Sequence, residues 1–279
     1  MEYPYLPRAI EEGLSQEKDT WGEDRIHVSD LAVTLDGNDK KCPREFWMRL
    51  RGYKKKPLTP GKKLMFDHGN RIHERIADVI TSGLEEQWEI IGIESPVIFR
   101  EFNITGTTDF VIRNIYTEEI FIVDFKTVRG RAFYHLDDAK ESHKLQVQSY
   151  AYGKDADGGL VLYIDREGQN AQMQFPVERN DEKVKRAIEE TLQIAQQEKI
   201  PPKLDYTIQI NENKGPDSIK VCEPWQCQYC DYKDVSCDGA LPVKFRTNSI
   251  VGKVDDEGNI SYKKGFEYFK ELLGGELVG

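Results

Sequence analysis

The chain has 279 residues, enough to bury a substantial core as one elaborated domain or two small ones. A formal charge of -10 with 38% hydrophobic residues marks a soluble globular protein and excludes a surface that is basic overall, so any nucleic-acid-binding face must be local. No run approaches the roughly 18 apolar residues of a membrane span. The opening MEYPYLPRAIEEG also lacks the basic and apolar regions of a secretory signal, which makes the cytoplasm the expected compartment.

Residues 5 to 20 read as a charged, weakly amphipathic helix. Next, Ser29 or Asp30 is placed to cap a short helix, and Cys42-Pro43 to open another, because proline's missing N–H costs nothing in a first helical turn. Between Lys40 and Lys63 stand ten Lys and Arg against a single acid, Glu45, with Phe46, Trp47 and Tyr53 interleaved. Such a stretch suits a phosphate backbone, with Arg44, Arg49, Lys54 and Lys55 as candidate contacts. The alternative is a solvated basic face over aromatics that belong to the core. From Phe66 to Thr81, Ile72, Ile76, Val79 and Ile80 recur at helical spacing, with His73 at the edge of the stripe and Gly83 as a stop. Residues 94 to 126 alternate as strands, 138 to 152 read as a helix ending at Gly153, and GLVLYIDREG with NAQMQFPV reads as a second hairpin. A charged helix from about Asp181 to Lys199 stops at Pro201-Pro202. Toward the end, SIVGKVDDEGNISYKKG reads as a hairpin turning at Asp256 to Asn259, ahead of a short terminal helix.

Within the first hairpin, ITGTTDFVIRNIYTEEIFIVDFKTVRG carries Asp109 and Asp124 in strongly strand-forming sequence. If Asn114 to Glu119 form the turn, pairing outward sets Asp109 opposite Asp124, while Lys126 shares a face with Asp124 and Phe125 points to the other side. Opposed carboxylates repel, so a fold holding them together needs a cation between them, and a hard divalent metal would supply it. Two solvated aspartates on an edge hairpin are the bland alternative. Against it, FIVDFKT is apolar on both sides of Asp124, as in a buried central strand.

Five cysteines is an odd number, and four of them crowd between Cys222 and Cys237, which suits thiolate ligation of a metal better than a disulfide framework. Cys227 and Cys230 form a C-x-x-C pair with Cys237 seven residues on, a chelating spacing. Cys222 would complete a local zinc site; Cys42 is the distant alternative.

These residues resemble a family. Gly106-x-x-Asp109 followed by Asp124-Phe125-Lys126 is similar to the metal-binding core of PD-(D/E)XK nucleases in their RecB-like form. GNRIHERI sets His73 where such members place a metal-ligating histidine, and LQVQSYAYG holds Gln146 and Tyr150 in the Q-x-x-x-Y arrangement that follows the lysine. KKCPREFW with WQCQYCDYKDVSC resembles the iron-sulfur exonucleases of this kind that are linked to CRISPR adaptation and carried by phages. The resemblance implies an α/β fold, a mixed central sheet flanked by helices, with Mg²⁺ or Mn²⁺ held by His73, Asp109, Asp124 and the carbonyl of Phe125. It further implies Lys126, Gln146 and Tyr150 as catalytic-site residues, and a [4Fe-4S] cluster on Cys42, Cys227, Cys230 and Cys237.

The expected organisation is a helical section over 1–65, a nuclease core over 66–205, a cysteine segment over 206–242 and a hairpin with a helix over 243–279. The expected function is hydrolysis of DNA from single-stranded or frayed ends, with recombination or CRISPR-adaptation proteins as unidentified partners. The alternatives are a non-cleaving iron-sulfur adaptor that binds DNA ends and a zinc-stabilised structural protein.

Overall fold

The computed structural model describes residues 25–165, 172–211, 217–239, 249–254 and 260–262. The expected helices over 5–20 and at the C-terminus lie outside these residues, as does the turn at Asp256 to Asn259. The chain divides into two compact units, one of Met1–Gly52 with Pro57–Pro201 and the other of Tyr53–Lys56 with Pro202–Gly279.

A six-stranded mixed sheet organises the first unit: β1 (Ile26–His27), β2 (Trp88–Phe99), β3 (Ile104–Asn114), β4 (Ile120–Val128), β5 (Gly158–Asp165) and β6 (Gln172–Glu178). β2 pairs with one edge of β3, while β1 and β4 share the other. β4 and β5 run parallel, and β6 closes antiparallel to β5. Five helices accompany the sheet among the described residues: α1 (Pro43–Leu50), α2 (Pro60–Gly83), α3 (Gly130–Phe133), α4 (Glu141–Lys154) and α5 (Asp181–Gln196).

β4 reads as a continuous apolar run because both of its faces are covered. On one side Ile122 lies in a core with Val161 and Tyr163 of β5, Leu145, Val147 and Tyr150 of α4, and Val184 and Ile188 of α5. On the other side Val123 and Phe125 join Phe110 and Ile112 of β3, against Ile76, Ala77 and Ile80 of α2. α4 rides close on the sheet because Gly159 has no side chain: a Cβ there would run into the Val147 side chain of α4 and stand 2.7 Å from the Ile122 carbonyl oxygen of β4.

Several boundaries differ from expectation for local reasons. Val28–Thr34 is a 3₁₀ helix with His27 at its N-cap, so neither Ser29 nor Asp30 caps it; Asp30 accepts the His27 N–H from inside the first turn at 2.8 Å. α2 starts earlier than expected, where Thr59 accepts the Lys62 N–H and Pro60 presets the first turn. Val79 of its expected apolar stripe faces outward. α4 runs through Gly153 and ends at Asp155, which takes the left-handed conformation with φ of 54°.

The basic segment around α1 has a structural task. The last carbonyls of α5 and the segment beyond it lack intrahelical donors. Trp47 Nε1 donates to the Gln197 carbonyl at 2.9 Å, and Arg51 donates to those of Ala195 and Gln197 at 3.0 and 2.8 Å. The Arg51 guanidinium also stacks 3.9 Å above the Trp47 ring.

The second unit contains an antiparallel sheet ordered β10-β9-β8-β7, built from β7 (Thr207–Asn211), β8 (Asp217–Cys222), β9 (Ser249–Val254) and β10 (Ile260–Tyr262). β9 and β10 are the expected hairpin. β7 and β8 went unread because short strands among charged residues carry little alternation. A short helix, α6 (Trp225–Tyr229), follows β8, and Glu223 beside it is paired with Lys233. Among the described residues no helix is long and apolar enough to cross a membrane.

Candidate active site

One edge of β3 is shared by two strands that do not meet. Ile104 and Thr105 pair with β1, and Phe110 to Arg113 pair with β4, which leaves Gly106 to Thr108 paired with β2 alone and Asp109 outside all three registers. The hairpin register is the one the sequence implies, with Phe110 opposite Val123, but it ends one pair short of the acids. Asp109 and Asp124 are therefore not a ladder pair. In place of the next ladder bond, Asp109 Oδ2 accepts the Phe125 N–H at 2.6 Å. A strand residue's N–H and C=O point to the same edge, so the Phe125 carbonyl faces this gap too.

The gap admits groups from both faces of the sheet. From one face come Asp124 and Lys126, whose Nζ lies 2.7 Å from Asp124 Oδ2. From the other comes His73 of α2, with Nδ1 3.4 Å from Asp109 Oδ1 and its ring edge-on to Phe125 at 6.0 Å. Asp124 is only 2% exposed. Its Oδ2 is buried and, despite the nearby ammonium, makes no hydrogen bond of regular geometry.

Burial raises the Asp124 carboxyl above its ordinary range, Lys126 opposes that, and the negative charge of Asp109 adds to it. The hydrogen bond to Asp109 raises His73, against the opposing effect of its partial burial. Burial is thus the first cause at Asp124 and the Asp109 hydrogen bond the first at His73, so the site sets a desolvated carboxylate beside a carboxylate-paired imidazole.

Tyr150 and Gln146 stand one helical turn apart on α4, and Gln146 Nε2 donates to the Tyr150 hydroxyl at 3.0 Å. A Cβ on Gly106 would lie 2.6 Å from Tyr150 Cε1. The glycine that opens G-x-x-D thus lets the tyrosine ring lie directly on β3 beside the gap. Burial pushes Tyr150 up to about 12, so its hydroxyl keeps its proton. Two residues not singled out from the sequence adjoin Lys126: Tyr163, its register partner on β5, and His143 of α4, whose Nδ1 is 2.7 Å from the Tyr163 hydroxyl. The available signal was spacing, since His143, Gln146 and Tyr150 fall on one helix face.

The other candidate residues are placed as follows. Arg44 donates to the Pro201 carbonyl at 3.0 Å, and Arg49 pairs with Asp30 and donates to the Arg25 carbonyl. In the second unit Lys54 is exposed and Lys55 half-buried, and the Lys54 carbonyl accepts from Ser236 Oγ at 2.6 Å. Cys42 is the N-cap of α1 in the first unit. In the second, Cys222 ends β8, Cys227 is buried in α6, Cys230 follows it, and the Cys237 N–H bonds to the Tyr232 carbonyl. Among the described residues no three or more His, Cys, Asp or Glu side chains stand grouped to hold a metal ion. The oxygen and imidazole donors at the sheet gap nevertheless suit a hard divalent cation, and the buried Asp124 carboxylate beside them fits one.

A mixed sheet flanked by helices is the architecture of the PD-(D/E)XK nuclease fold. The chain belongs to the PD-(D/E)XK nuclease superfamily, whose profile matches residues 47–238. No curated protein matches it significantly in sequence. Similar solved structures include SSO0001, 22% identical with a TM-score of 0.45, over 85% of this chain and 95% of that one. LHK-Exo, an alkaline exonuclease from Laribacter hongkongensis, in complex with dAMP, is 11% identical with a TM-score of 0.44, over 61% and 86%. A phage related exonuclease from Haemophilus somnus 129PT is 17% identical with a TM-score of 0.41, over 62% and 92%. Likeness at this level carries no functional argument.

Proposed function

We propose that the protein is a metal-dependent DNA exonuclease acting on single-stranded or frayed ends. The observation that carries this reading is the buried Asp124 carboxylate at the sheet gap, lacking a regular hydrogen bond yet 2.7 Å from Lys126. A protein that only bound DNA would gain nothing from so costly a group.

His73, Asp109, Asp124 and the Phe125 carbonyl would hold Mg²⁺ or Mn²⁺. Such an ion supplies neutralisation of the scissile phosphate and a lowered pKa for the attacking water. Lys126 orients that water and places a compact positive charge where negative charge develops on phosphorus. Tyr150 and Gln146 line the α4 side of the gap, with the hydroxyl as a permanent donor toward the DNA strand. Asp109, tied to the Phe125 amide, keeps the two strand ends at a set separation. Lys54 and Lys55 are the proposed backbone contacts in the second unit; Arg44 and Arg49 can add to them only by exchanging the partners they already hold.

The resemblance extends the proposal to a [4Fe-4S] cluster on Cys227, Cys230 and Cys237, with Cys42 as fourth ligand in preference to Cys222, and to the RecB-like iron-sulfur subtype. This extension rests on the resemblance, with the C-x-x-C spacing of Cys227 and Cys230 in support. Iron content lost in Cys42→Ala and kept in Cys222→Ala is the expected result, and the reverse favours the local site.

The function is tested by digesting end-labelled single- and double-stranded DNA with Mg²⁺, Mn²⁺ or EDTA, using wild type and Lys126→Ala. Metal-dependent trimming from ends, reduced at least about 100-fold in the variant, is expected. Cutting that persists unchanged in Lys126→Ala overturns the assignment, and DNA binding without cutting supports an end-binding adaptor instead.

A further inference from the structure

His143 begins a stripe that Gln146 and Tyr150 continue, three and then four residues on, along one face of α4. The stripe crosses the sheet above the gap. Tyr150 lies on Gly106 of β3, Gln146 bonds to the Tyr150 hydroxyl, and His143 reaches Tyr163 of β5. Tyr163 and Lys126 are register partners in the parallel β4–β5 pair, so their side chains stand side by side on one face.

The hydrogen bonds determine which nitrogen of His143 carries its hydrogen. The Tyr163 oxygen accepts the Lys140 N–H at 3.0 Å. The tyrosine is fully buried, so its own proton needs an acceptor, and His143 Nδ1 at 2.7 Å supplies one. Nδ1 is therefore unprotonated and the hydrogen sits on Nε2. Burial, reinforced by Lys126 and Lys140 nearby, pushes His143 down to about 3, which keeps the ring neutral. A partly exposed neutral imidazole with a fixed N–H, beside the lysine of the site, is an uncharged donor waiting for an acceptor.

We propose that His143 is a substrate-binding residue whose Nε2–H donates to a DNA backbone phosphate on the β5 side of the gap, adjacent to the phosphate that Lys126 and the aspartates handle. This rests on the nuclease reading above. A second cation at that point would repel Lys126, whereas a neutral donor adds affinity and strand register without disturbing it. Tyr163 is a positioning residue, acting through the tautomer it imposes.

The test uses the full-length protein and a labelled single-stranded oligonucleotide. Binding is measured in Ca²⁺ from about 50 to 200 mM salt, and cleavage is measured in Mn²⁺. His143→Leu should weaken Kd and raise KM about tenfold with kcat within about twofold, as expected for one hydrogen bond to a charged acceptor. The slope of log Kd against log salt should not change, because a neutral donor displaces no counterion; a lost cation contact would lower it by about one. His143→Gln, which keeps an N–H near the same point, should recover most of the affinity, and Tyr163→Phe should lose about two- to threefold. Unchanged binding by His143→Leu overturns the proposal, as does a slope that falls by about one. Imidazole ¹⁵N spectra of the wild type read the tautomer whether or not the variants fold, and a hydrogen on Nδ1 overturns it equally. A wild type that neither binds nor cuts DNA sinks the nuclease reading and this proposal together, while normal wild-type cleavage with unaffected His143→Leu sinks only this one.

Discussion

Replacing Asp124 with Asn should stabilise the metal-free protein while abolishing its activity. The carboxylate is 2% exposed, its Oδ2 has no regular hydrogen bond, and Lys126 is its only close cation among the described residues. Replacing a whole buried ion pair by neutral groups of similar volume is neutral or stabilising by about 1–4 kcal/mol, whereas removing one partner costs about 3–5 kcal/mol when the other charge stays buried. Lys126 loses a partner in the exchange, but its side chain is 22% exposed and can turn to water, so about 1–2 kcal/mol is the expected net gain. For a unit of this size that is a rise in Tm of roughly 2–8 °C in EDTA at pH 8. The pH dependence has a definite sign. The folded pKa of Asp124 is raised above its unfolded value of 3.8, so the wild type is free of the penalty below that value and acquires it as pH rises through the folded pKa. The Tm difference between variant and wild type should therefore shrink toward zero near pH 4. Saturating Mn²⁺ should reverse the order, since a ligand at 100 times its Kd adds about 2.7 kcal/mol to whichever protein binds it. Differential scanning calorimetry with EDTA or Mn²⁺ reads both effects. An Asp124→Asn protein less stable than wild type in EDTA, or equally stabilised by Mn²⁺, would refute the reasoning.

Gly106→Ala should cost about 1–3 kcal/mol in urea denaturation, because its Cβ would meet the Tyr150 ring at 2.6 Å; pairing it with Tyr150→Leu should recover some of the loss. His73 should titrate above its ordinary 6.5 in EDTA by NMR, and Asp109→Asn should bring it back down, since the carboxylate hydrogen bond is the main cause of the shift. The stability His73 contributes in the metal-free protein is full below pH 6.5 and lost as pH rises through the folded value, a loss Asp109→Asn should not show. Arg51→Ala should lower stability by about 1 kcal/mol by unmaking its bonds to the end of α5, with the salt slope of DNA binding unchanged.

Local pattern carried the sequence reading wherever the information was local. Pairing outward from the Asn114–Glu119 turn yields the observed register because a hairpin's turn dictates which residues face each other. Alternation along FIVDFKT likewise separates Phe125 from Asp124 and Lys126, as strand geometry requires. The partners of the basic segment show the converse. Composition marks Arg44 and Arg49 as phosphate contacts, but their partners, Pro201 and Asp30 with Arg25, are set by how distant or adjoining segments pack, which charge counting does not register.

What the sequence by itself determined was the hairpin, the face each of its residues takes, and the order of acid, acid and lysine within it. Only the tertiary structure decided that the β3–β4 ladder stops one residue pair before the acids, that His73 arrives from the opposite face, and that Tyr163 and His143 flank Lys126. Register and face follow from the two-residue period of a single chain segment, whereas the gap exists because β1 and β4 occupy separate stretches of one edge of β3. That competition for an edge brings together strands far apart in the chain, and no local spacing encodes it.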